Sequence, residues 1–71
     1  MLKRYVAFVF ERYEAGGGWN DVLSEGTDEA GKLLVLSWDT VEEAAVAVQA
    51  ELARDHSQIV DLHTGQIVRQ E

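Results

Sequence analysis

The side chains with the chemistry for nucleophilic or acid–base work are Ser24, Ser37 and Ser57, with His56 and His63. Their spacing matches no nucleophile elbow or other catalytic motif. His56 is expected at a helix C-terminus, where a cation suits the dipole, and His63 at a hairpin tip. A chain of 71 residues also has little room to enclose a substrate. No catalytic residue is assigned, and the chain is read as non-enzymatic. Gly16-Gly17-Gly18 invites a phosphate-loop reading, but that motif needs Lys and Ser or Thr opening a helix. Here Trp19-Asn20-Asp21 follows, and the triple glycine reads as a turn. Asp21, Glu25, Asp28 and Glu29 offer hard oxygen ligands in one stretch, without the spacing of a calcium loop. With no Cys and two His, no zinc arrangement is available either. Neither metal nor cofactor is expected.

The remaining chemistry is that of binding. Trp19 follows three glycines in a polar segment too short to bury an indole by itself. It is read either as a lid folded over a sheet edge or as an anchor for a partner. Asn20 and Asp21 stand beside it, and Glu14 and Glu25 flank it, so these five residues form the expected partner-binding site. Trp38, at a strand–helix junction, is read as core. A second surface comprises Val46, Ala47, Ala50 and Ala53, opposite the core stripe of the expected helix. A solvent-facing stripe is usually more charged, so this one is the expected self-association seam; the alternative is that Ala is merely a good helix former.

These groups must be positioned by few elements. Tyr5 to Phe10 is a β-branched and aromatic run, apolar on both faces, as in a central strand. Glu14 to Lys32 reads as a long connection with one short strand near Asp21 to Ser24. Leu33 to Trp38 reads as a second strong strand. Thr40-Val41-Glu42-Glu43 fits a capping box, and the helix it opens is expected from Thr40 to about His56, burying Val41, Ala45, Val48 and Leu52. Residues 58–62 and 66–69 flank His63-Thr64-Gly65 as a hairpin, in which Asp61 accepts a hydrogen bond from a turn amide. The expected fold is α+β: a single domain over residues 1–71 with a three- to four-stranded, mostly antiparallel sheet and one helix on one face. The opposite sheet face is left for solvent, for another protein or for self-association.

Composition narrows the partners. Thirteen acids against six bases give a net charge of −7, with no basic stripe for direct nucleic-acid binding and little affinity for an anionic membrane. No run approaches the roughly 18 apolar residues that span a bilayer. The opening, two bases and then an apolar run, imitates a leader but stops at Glu11-Arg12. Absence of Cys fits the cytoplasm.

Three stretches together carry a resemblance: Phe8-Val9-Phe10 through Gly17-Gly18-Trp19-Asn20-Asp21, then Ser37-Trp38-Asp39-Thr40-Val41-Glu42-Glu43-Ala44, then Gln58 to Val68 with its IVDL-x-TG-x-IV pattern. The chain resembles small uncharacterised proteins carried by bacteria and their phages. The resemblance implies no activity and no catalytic residue. It implies an accessory protein that acts by binding, such as a phage-encoded modulator or inhibitor of a host protein. A second expectation comes from charge. Glu14, Asp21, Glu25, Asp28 and Glu29 occur with no base between Tyr13 and Gly31, as in a DNA mimic that occupies a nucleic-acid channel.

Overall fold

The computed structural model describes residues 2–12, 18–51 and 54–70. The order is β1 (Tyr5–Arg12), β2 (Gly18–Val22), β3 (Ser24–Thr27), β4 (Leu33–Val35), α1 (Val41–Gln49), β5 (Arg54–Asp61) and β6 (Gln66–Gln70). Four strands form one antiparallel sheet in the order β2-β1-β5-β6, and β3 pairs with β4 in a separate two-stranded arm. This is the expected α+β fold, with a single helix on a mostly antiparallel sheet.

The apolar run of β1 takes the central place, between β2 and β5. Its alternate residues divide between the two sheet faces. Ala7 and Val9 join Leu23, Ala44, Ala45, Val48 and Ile59 in the buried core, with Tyr5, Leu36, Trp38 and Val41 packed around them. These are mostly small side chains, and Val48 is the largest that is fully enclosed. Small residues let α1 lie close on β1 and β5. Thr40 caps the helix: its Oγ1 accepts from the Glu43 N–H at 3.2 Å and donates to Glu43 Oε1 at 3.0 Å.

Three expectations need correction. The helix ends at Gln49, well short of His56. The N–H of Ala50 bonds back to both Val46 and Ala47, and that of Glu51 to Val48, so the last turn tightens and stops. Pairing then overrides helical propensity, because β5 has to start at Arg54 to oppose Glu11. His56 is consequently a strand residue opposite Phe10. The expected burial of Leu52 lies outside the described residues. Second, the short strand expected near Asp21 to Ser24 begins earlier, at Gly18, so Trp19 and Asn20 are not loop but lie with Asp21 in β2, hydrogen-bonded along β1. Third, Leu33 to Trp38 is not one continuous strand. β4 covers only Leu33–Val35, in the arm, and Leu33 and Leu34 are exposed. The run rejoins the sheet at Leu36, whose N–H bonds to the Leu23 carbonyl, and at Trp38, which exchanges two hydrogen bonds with Tyr5 at 2.9 and 3.0 Å.

The terminal hairpin forms as expected. Gly65, at φ +73°, takes the left-handed position that closes the turn, and its N–H bonds to the Asp61 carbonyl at 2.7 Å.

Candidate functional site

The alternation that sends Ala7 and Val9 under α1 sends Val6, Phe8 and Phe10 to the other face. Register extends that face across all four strands. Val22 lies opposite Phe8 from β2. Val60, Gln58 and His56 lie opposite Val6, Phe8 and Phe10 from β5. Ile67 and Gln70 lie opposite Val60 and Gln58 from β6. None of these apolar residues belongs to the core cluster or packs against it. Val6 is closed in by its neighbours, Phe8, Phe10, Val22 and Val60 are half-buried, and Ile67 is 50% exposed. The Phe10 ring stands 5.9 Å from His56, tilted by 36°. α1 packs on the opposite face, against β1 and β5, and it is the one helix among the described residues. Both phenylalanines of the chain lie on the face that α1 does not cover.

The electrostatic fixed point is at the covered side. Asp61 lies opposite Tyr5 with its side chain 5% exposed. Oδ1 accepts from Arg4 Nε at 3.0 Å and from the His63 N–H at 2.9 Å; Oδ2 accepts from Arg4 Nη2 at 2.8 Å. The Arg4 hydrogen bonds hold the Asp61 carboxyl down at about 2, with the His63 amide adding to them against the cost of burial. The same bonds raise Arg4. Arg4 also stacks over the Tyr5 ring at 5.3 Å. This bidentate clamp ties the start of β1 to the terminal hairpin. It confirms the turn-amide role of Asp61 and adds a partner, Arg4, from 57 residues away.

The residues expected to bind a partner are dispersed. Trp19 and Asn20 are in edge strand β2, their main chains opposite Glu11 and Phe10. Asp21 is exposed and lies opposite Val9, on the helix side of the sheet. Glu25 is exposed on β3, in the separate arm, and Glu14 lies outside the described residues. On the helix, Val46 is 69% exposed and Ala50 exposed, while Ala47 is half-buried; Ala53 lies outside the described residues. Asp28 closes its own turn, Oδ1 accepting from the Ala30 and Lys32 N–H groups at 2.9 Å each. Beside the arm, Leu2, Glu25 and Lys32 to Val35 line a shallow groove of about 530 Å³.

The open face was half legible in the sequence. An uncovered sheet face was expected, but not that it would hold both Phe side chains. The parity of β1 carries that signal, since Phe8 and Phe10 alternate with Ala7 and Val9. No family model matches this chain, and no curated protein or solved structure matches it either.

Proposed function

We propose that this chain is a small, non-catalytic protein-binding module that works through the open face of its sheet. One observation carries the reading: both Phe side chains sit on the face that α1 does not cover, outside the core that α1, Tyr5 and Trp38 close. Aromatic side chains dominate interface energetics, and a half-buried apolar sheet face ending in an exposed Ile67 can bury more apolar area on binding. The β2 edge, with Trp19, Asn20 and Asp21, borders it. The sequence resemblance extends this to a modulator or inhibitor of a host protein, acting in the cytoplasm.

The test is site-specific photo-crosslinking in extract from a photoreactive residue at Gln58, in the middle of the open face, or at Val46, on the helix. The reading expects protein adducts from position 58 and none from 46. Adducts from 46 alone would overturn it.

A second reading, the DNA mimic, is favoured by the exposure of Asp21, Glu25, Asp28 and Glu29. It forecasts complexes with a basic protein that dissociate between about 0.1 M and 1 M salt. An apolar face forecasts complexes that persist.

A further inference from the structure

We infer that the occupant of the open sheet face is a second copy of this chain, giving a face-to-face two-fold dimer with the helices outermost. This inference rests on the open-face reading and names its partner.

Area is the first argument. Strands of eight residues in β1 and β5 and five in β2 and β6, about 4.8 Å apart with about 3.4 Å per residue, make a face of about 420 Å² in projection. That is about half of the ~800 Å² a side found in standard stable interfaces, the size of a weak, concentration-dependent association. Two twisted antiparallel sheets meet in this way with strand directions within about 30° of each other.

Charge is the second. The chain carries −7, so most surfaces of two copies repel. Asp21 lies on the helix side, and Glu42 and Glu43 lie in the first turn of α1. The open face instead presents Phe8, Phe10, Val22, Gln58, Val60 and Ile67, with the imidazole of His56 against Phe10 and no acid among these side chains. A basic partner would gain nothing there. An identical apolar face meets its equal, and Asp21, Glu42 and Glu43 of both copies lie away from the seam. The arrangement is isologous and closes on itself, with the central strands β1 and β5 at the two-fold axis.

Stability is the third. The core beneath α1 is small, and no disulfide supports it. Chains of this size commonly rely on a staple or on oligomerisation. A second sheet supplies the missing layer and removes the Phe8 and Phe10 rings from water.

Sedimentation equilibrium of the purified full chain, from low micromolar to sub-millimolar concentration, tests this. The wild type is expected to show a reversible monomer–dimer equilibrium. Phe10→Asp should abolish it. Gln58→Glu, a change at a half-buried polar position that keeps the fold, should raise the dissociation constant at least about tenfold by facing two carboxylates across the axis. Val46→Asp should leave it unchanged. Circular dichroism checks folding, and Gln58→Glu decides the matter if Phe10→Asp unfolds. A wild type monomeric throughout overturns the inference, as does a dimer that survives Gln58→Glu and is lost in Val46→Asp. Crosslinking from position 58 separates the two levels. Adducts to a different protein from a monomeric chain would leave the open-face reading standing without the second copy, and adducts to nothing would remove both.

Discussion

The two faces of the four-stranded sheet are made by the same strands and differ by one residue in register. Under α1 lie Ala7, Val9 and Ile59, met by Ala44, Ala45 and Val48. On the other side lie Phe8, Phe10, Val22, Val60 and Ile67, met by nothing among the described residues. A self-sufficient domain puts its largest apolar side chains in its core. This one gathers Ala7, Ala44 and Ala45 where the helix approaches the sheet, packs Tyr5 and Trp38 around them, and still leaves both Phe side chains on the face that α1 does not cover. The difference locates two separate jobs. The covered face folds the chain, and the open face associates.

That division is best broken at neighbouring residues of β5. Ile59→Ala removes a core side chain and should cost about 2–5 kcal/mol, a large part of the stability of a small domain. Val60→Ala, one residue on and facing the other way, should cost about 1 kcal/mol or less and act instead on association. Thermal melting and sedimentation of the two variants compare them directly. Equal losses of stability would mean that both faces are core.

Acid should loosen the covered side first. Asp61 has its carboxyl held at about 2, below the ordinary 3.8, by Arg4. A carboxylate with a lowered value in the folded state contributes stability that is fully present above the unfolded value. That contribution is lost as pH falls from about 4 towards 2. Tm should drop across that window, and Asp61→Asn should start lower and lack the drop. An unchanged acid profile in Asp61→Asn would remove the clamp from the account.

Smaller effects calibrate the scaffold. Thr40→Ala deletes the cap seen at Glu43 and should cost about 1 kcal/mol by denaturant melt, without touching association. Gly65→Ala meets no atom within 4 Å. Its cost is therefore only that of a left-handed backbone, about 1–2 kcal/mol by the same measurement.

The sequence was most informative where local chemistry decides the outcome. Thr40 and Glu43 marked the helix start, Gly65 and Asp61 the hairpin, and the apolar run at Tyr5 to Phe10 the central strand. It misled where distant pairing decides. Residues 50 and 51 continue a helical pattern, yet the need of β1 for a partner from Arg54 onward ends the helix at Gln49. Leu33 to Trp38 reads as one strong strand, yet the chain turns out at Leu23 to pair β3 with β4 and leaves Leu33 and Leu34 exposed. Trp19 drew attention because of its glycines, and the strand it belongs to was hidden by them. Which parity of β1 faces the helix is a matter of packing, not of composition, and so the open face needed the fold to be seen.

The most direct test of the central claim uses the two phenylalanines themselves. Incorporation of fluorophenylalanine gives two ¹⁹F resonances, one each for Phe8 and Phe10, whose relaxation by a soluble paramagnetic agent reports exposure. The account predicts that both are accessible in dilute monomer and become protected together as the second copy, or another bound protein, covers the face. Both rings shielded at dilutions where the chain is monomeric, or both accessible in every complex the protein forms, would contradict it.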